Sequence, residues 1–406
     1  MVITMKKLKI LYILLAVAFV FLSDNQAYSA NNYIFLVTNQ ENVGDHNQAV
    51  AIANALKPQL APETVEEQNF SAEDRGSLLN AVAKTLAADR DNKIIIIGAG
   101  EASILTLAAL PQQPNVFIVH SSHQLTKQHI LLRDHANVVA LPWHAVTNKD
   151  LDKLTSPVTS VVTTYGVVHN LTPEVIQAEY EANQGKIPSS FKYLGVILGG
   201  DAPTPGGKTL YYTPNEAAKL ASYLATIRKS DQHLLILNSS RTGKHNPHTG
   251  AVIPGTHVDE RVDAVTAAFI HELERNGLKR EKDFSLFDFH HKQPSYYKII
   301  LGALLVTESP LVVAGELTLM VSEAADCLPQ GLVTAYFHSA MNKNHIRHCE
   351  AENKAGRINL LYLDQGKGVR AIPAFKVSSS ERQTAADFVA KAVYARLQQL
   401  NKVSFN

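Results

Sequence analysis

The residues best able to do chemistry fall in a few short runs. In "GELTLMVSEAADCLPQG", Gly315 to Gly331, a small loop behind the apolar strand "SPLVVA" leads into a helix. A helix start offers unpaired backbone N–H groups at the positive end of its dipole, which suits a phosphate. Ser322 and Glu323 ride on that helix as candidate ligand residues; the alternative is a Ser322 that caps nothing and a Glu323 that faces water rather than ribose hydroxyls. A second run, "NSSRTG", follows the strand "LLILN". Its Arg241 carries paired donors that match phosphate oxygens, and Ser239, Ser240 and Thr242 add hydroxyls. The alternative is an arginine paired with a surface carboxylate. Gly199 and Gly200, closing "VILGG", let a backbone approach a ligand closely or make a tight turn. For a general base, His46 stands first, because a neutral imidazole in the turn after the first strand can accept a hydroxyl proton near pH 7. Asp45 beside it can do the same or orient it, Glu101 at a later strand end is a second choice, and a capping or packing role is open to each. His120 and His144 also close strands, where hydrogen bonding within a wall is the simpler account.

These groups need elements to hold them at one edge. "YIFLVTN", "KIIIIGAG", "NVFIVHSSH", "ANVVALPWH" and "SVVTTYG" are apolar strands ending in polar residues, and helices such as "QAVAIANAL" and "EASILTLAAL" separate them. Continuous apolar strands alternating with helices predict a parallel sheet covered on both faces, with ligands at the C-terminal strand ends. A second cycle begins at "FKYLGVILGGD" and runs through "HLLILNSSRTG", a helix over about 258–276, "FSLFDFHH", "LVVAGE" and "LVTAYFH". The polar stretch "EYEANQGKIPSS" between the cycles reads as a hinge-like linker. The expected organisation is therefore α/β: a first domain over 31–180, a second over 191–380, a cleft between them, and a helix within 381–406 packing back on the first.

Composition sets outer bounds. The chain has 406 residues, 46% of them hydrophobic, and a net charge of +1, which gives no long-range field for nucleic acid or an anionic membrane. Residues 1–30 have the layout of a secretory signal peptide: Lys6, Lys7 and Lys9, an apolar run from Ile10 to Leu22, then small residues before a cleavage point near Ala30. Export follows, with membrane attachment only if that segment stays uncleaved. Of the two cysteines, Cys327 reads as a small buried hydrophobe, so no disulfide framework is implied. "HIRHC" places His345, His348 and Cys349 together, but no fourth ligand accompanies them, and no metal or other cofactor is expected.

Six segments in order, "VGDHNQAVAIANAL", "NVVALPWHAV", "TTYGVVHNLTPEVI", "VILGGD", "NSSRTG" and "GELTLMVSEA", resemble the mitochondrial fission ELM family, whose members look like two-domain GT-B glycosyltransferases. Departures are Asp45 and His46 in place of a His-Glu pair and Ala145 in place of an acidic residue. The Gly199–Gly200 turn and the Ser-Glu helix also resemble the donor site of the GT-B enzymes that add N-acetylglucosamine to a lipid-linked peptidoglycan precursor. The resemblance implies a nucleotide diphosphate sugar as ligand and metal-independent chemistry. It makes Glu323 a ribose contact, the N–H groups of Leu317, Thr318, Leu319 and Met320 a diphosphate cradle, and Asp201 either a sugar contact or a cap of the next turn. It leaves open a catalytically silent scaffold that binds an unknown acceptor or protein partner, since export removes the protein from cytoplasmic nucleotide sugars.

Overall fold

The computed structural model describes residues 31–403 except 40, 62–64, 191, 205–206, 259–260, 365–367 and 375–382. The signal-peptide expectation thus lies outside the described residues. The first sheet contains β1 (Asn32–Thr38), β2 (Val65–Ser71), β3 (Lys93–Ala99), β4 (Val116–Ser121), β5 (Val138–Pro142) and β6 (Ser160–Thr164), all parallel in the order β2-β1-β3-β4-β5-β6. Ile94 to Ile97 of β3 are all buried because alternate residues feed cores on opposite faces. One core takes Ile95 and Ile97 with the Val43–Leu60 helix, and the other takes Ile94 and Ile96 with the Arg75–Ala88 helix.

The second sheet has the order β11-β10-β7-β12-β13-β14-β15. Its strands are β7 (Lys192–Ile197), β10 (Gln232–Leu237), β11 (Phe284–Phe287), β12 (Leu311–Ala314), β13 (Val333–Phe337), β14 (Asn359–Asp364) and β15 (Gly368–Ile372), of which only β15 runs antiparallel. A small ribbon, β8 (Ala202–Pro203) with β9 (Thr209–Leu210), hangs from the end of β7. Local signals set the helix starts. Thr213 and Glu216 form a reciprocal capping box ahead of Pro214, and Thr172 caps a helix opening at Pro173.

Together these are the two Rossmann-like units of a GT-B-type α/β fold. The last helix, Ala385–Val403, returns to the first unit, where Val389, Ala390 and Val393 share a core with Ile34 and Leu36. No helix among the described residues is long and apolar enough to cross a membrane.

Two sequence expectations shift. The helix expected from Val258 begins at Ala264, because the Asp263 carboxylate caps it by accepting the Val265 and Thr266 N–H groups, both at 2.9 Å. The polar stretch expected to be the linker begins with the end of the Pro173–Asn183 helix and continues through a short 3-10 turn, Gln184–Lys186, and Leu171 and Ile176 ahead of it and Ile187 within it are buried in the second core. Its polarity belongs to one outer face. The chain therefore crosses between units at about 165–170, ahead of that helix. Its packing depends on Gly302: a Cβ there would run into the Ile176 carbonyl oxygen and come within 2.6 Å of Tyr180 Cβ. Gly302→Ala is expected to cost about 1–3 kcal/mol from overpacking, read as a lower urea midpoint with an unchanged slope.

Candidate functional site

In each sheet the strand order reverses once, between β1 and β3 in the first and between β7 and β12 in the second. Open parallel sheets bind ligands at such points, because the two flanking loops diverge there and leave a crevice. Most of the candidate residues lie on those loops.

At the first crevice the Val43–Leu60 helix starts with Asn42 as its cap, and Asn42 Nδ2 donates to Asp45 Oδ2 at 2.8 Å. Asp45 is buried and pressed against Gly100, which has φ of 75° and no room for a Cβ beside that carboxylate. Burial raises the Asp45 pKa, and His123 opposes the rise. His46 is half-buried with Nδ1 3.5 Å from Thr38 Oγ1 at the end of β1. Glu101 opens the Glu101–Ala108 helix and is exposed. His120 is fully buried, its Nδ1 3.3 Å from Ser103 Oγ, and burial with the neighbouring His129 holds it well below the ordinary histidine range.

The residue that sequence reasoning passed over is His123. It follows β4 in "HSSH", keeps solvent access, and lies close enough to Asp45, His129 and His144 for each pair to feel the other's charge. Burial lowers its pKa and Asp45 partly offsets that, so the ring is neutral near pH 7. The available signal was its place in a polar strand end. Its nearness to Asp45, far away in sequence, was not visible.

The second crevice is built around Glu316. Its carboxylate accepts from the Gly200 N–H at 2.6 Å and from His338 Nε2 at 2.5 Å. Burial alone would raise its pKa, but His338, the Gly200 N–H and Arg241 hold it below the usual carboxylate value. Gly199 donates its N–H to Tyr336 Oη at 2.7 Å, and a Cβ at Gly200 would strike the Arg241 backbone at 2.7 Å. The Arg241 loop is wound tightly. Thr242 Oγ1 donates to the Gly199 carbonyl at 2.8 Å and accepts from the Ser239 N–H at 2.9 Å, while Ser239 Oγ accepts from the Arg241 N–H at 3.3 Å. Ser240 is half-buried beside them. With its backbone so held, Arg241 projects a half-buried guanidinium that makes no ion pair or hydrogen bond among the described residues.

The helix Thr318–Cys327 starts beside Glu316 without a side-chain cap. The Leu317 N–H is already spent on the Ala314 carbonyl at 3.2 Å, so the expected cradle contracts to Thr318, Leu319 and Met320, all half-buried. Three more expected ligands have other work. Asp201 is buried, accepting from the Tyr212 N–H at 3.2 Å and from the His245 N–H at 2.9 Å. Ser322 is fully buried and accepts from the Val167 N–H at 3.0 Å, tying the crossover segment to this helix. Glu323 is half-buried near Tyr297 and His169, and burial raises its pKa.

The remaining motifs separate. His345 caps its own helix, accepting from the Asn342 N–H at 3.2 Å, whereas His348 Nδ1 meets His144 Nδ1 at 3.2 Å across the domain interface. Cys327 and Cys349 are buried free thiols.

The chain has distant structural likenesses. It is similar to UDP-GlcNAc 2-epimerase from Methanocaldococcus jannaschii at 10% identity and a TM-score of 0.45, over 90% of this chain and 99% of the other. It is similar to Acinetobacter baumannii MurG at 10% identity and a TM-score of 0.37, over 91% and 93%. It is similar to E. coli ADP-heptose lps heptosyltransferase II at 11% identity and a TM-score of 0.37, over 92% and 99%. No curated protein matches its sequence. The family described as mitochondrial fission ELM1 matches residues 43–249, more than half of the chain, from the helix that carries Asp45 to just past the Arg241 loop, and the protein belongs to that family.

Proposed function

We propose that the chain binds a nucleotide diphosphate sugar in its interdomain cleft and transfers the sugar to an acceptor hydroxyl held by the first domain. The observation that carries this is the Arg241 guanidinium, which makes no hydrogen bond or ion pair among the described residues and whose charge is felt by Glu316, at the crevice where the N–H groups of Thr318 to Met320 open a helix. Two phosphates leaving with negative charge need fixed donors of that kind, and donors already oriented by the fold stabilise the departing charge without reorganising. The Gly199–Gly200 turn, locked by Tyr336 and Glu316, brings backbone close to the same place. Glu323, packed toward Tyr297 and His169, is secondary in this reading. Across the cleft, His123 with Asp45 supplies a neutral base for the acceptor hydroxyl.

Thermal-shift titration of the protein with nucleoside diphosphates and their sugar conjugates tests this. A ligand at a hundred times its Kd adds about 2.7 kcal/mol to the folded state. Arg241→Ala is expected to weaken diphosphate binding by about 10- to 100-fold, the loss of a charge-assisted contact, while leaving the unliganded melting temperature unchanged. Absence of binding by the wild type would reject the donor site and leave the fold as a non-catalytic scaffold for a protein partner.

A further inference from the structure

We infer that His257, Asp263 and Asp288 form a binding site for a divalent transition-metal cation of the zinc or manganese class, beside the Arg241 loop. Their ligand atoms all lie within 4.8 Å of one another, with His257 Nδ1 3.9 Å from Asp288 Oδ1. The three come from different places: a turn that carries His257, the cap of the Ala264–Arg275 helix, and the end of β11. One imidazole nitrogen with two carboxylates is a donor set these cations accept, and three protein ligands leave positions for water or an anion.

The histidine carries the assignment. Its Nε2 lies 2.8 Å from the Thr242 carbonyl oxygen, to which it donates, so in the neutral ring the proton is on Nε2 and Nδ1 presents a lone pair. That Nδ1 is buried, has no hydrogen-bond partner among the described residues and faces the carboxylates. A metal-bound histidine commonly has this arrangement, in which a carbonyl on the far nitrogen fixes tautomer and ring orientation. His257 also has φ of 61°, a left-handed conformation that only Gly adopts freely.

The carboxylates are oriented too. Asn238 Oδ1 accepts from the Phe289 N–H at 2.6 Å, so its amide nitrogen points at Asp288 Oδ1, 2.5 Å away, and at Asp263 Oδ2, 3.2 Å away. Asp263 also accepts from Thr266 Oγ1 at 2.6 Å. A cation would share these oxygens with the Asn238 amide, at Asp288 Oδ1 and Asp263 Oδ2, and with the Thr266 hydroxyl. Because His257 holds the Thr242 carbonyl, and Asp263 packs against Gly243, the cation would brace the loop that presents Arg241. The site is independent of the proposed transfer reaction.

Chelator-stripped full-length protein without a histidine tag, titrated with Zn²⁺ or Mn²⁺, should take up about one equivalent by mass spectrometric metal analysis and melt at a higher temperature when loaded. Substituted Co²⁺ should give visible absorption bands. His257→Ala and the isosteric Asp288→Asn should each lower affinity at least tenfold, and His345→Ala should not. Uptake that is equal in wild type and both variants, or no uptake by the wild type, would overturn the site. The cluster would then be a histidine–carboxylate ion pair. If a variant fails to fold, Co²⁺ spectra of the wild type alone decide, since bands lacking histidine coordination also reject it.

Discussion

His123→Ala is expected to lower turnover by about 10²- to 10⁴-fold, the usual contribution of a general base, while nucleotide affinity stays within about twofold of wild type. The division follows from position: His123 belongs to the first sheet's crevice, and the diphosphate donors belong to the second. Because burial lowers the His123 pKa, the acidic limb of the rate profile should lie below the ordinary histidine range. Asp45 partly offsets that lowering, so Asp45→Asn should move the limb further down, a readout that a purely structural role would not give. Turnover that survives His123→Ala would move the base to His46 or Glu101. His46→Ala is expected to do little, since its Nδ1 is turned toward Thr38.

Asp326→Ala is expected to destabilise the fold by about 3 kcal/mol, measured by urea unfolding. Arg357 Nη1 reaches Asp326 Oδ1 at 2.7 Å and its Nε reaches Glu352 Oε2 at 2.5 Å, while His169 of the crossover lies 2.9 Å from Asp326 Oδ2. Truncation leaves a buried guanidinium with one carboxylate and a buried histidine with only the weaker influence of Glu323. The pH dependence has a definite sign for each partner. Burial alone would raise the Asp326 pKa, but Arg357 and His169 hold it below the usual aspartate value. Its contribution is therefore present above the unfolded-state pKa and disappears as pH falls through the lower folded value. His169 is the reverse: burial opposes its charge, Asp326 more than offsets that, and the folded pKa is raised. That part is complete below the unfolded histidine pKa and is lost as pH rises through the folded one. Wild type should thus lose stability on both flanks, and Asp326→Ala should flatten both.

Local pattern carried the architecture. Strands such as "KIIIIGA" that are apolar on both faces have no stable place except inside a parallel sheet, and the polar residues that end them mark the ligand edge without any coordinates. The Gly199–Gly200 turn, the loop that carries Arg241 and the helix start at Thr318 were legible as local structure for the same reason, since each is specified within a few residues. What local pattern misjudged were residues whose partners are distant in the chain. Ser322 looked like a ligand residue until Val167, from the crossover, claimed it. Asp201 was claimed by His245, and the apparent linker was claimed by Gly302. His123 became a candidate only when the sheet order brought it near Asp45, and His257 only when the ends of β10 and β11 brought Asn238 and Asp288 together. By itself the sequence determined which segments are strands and helices and which edge of each sheet is chemically equipped, because periodicity and capping act over a few residues. The tertiary structure alone decided which polar groups are used up within the fold and which are left free, because the lowest-energy partner of a buried polar atom is set by proximity in space.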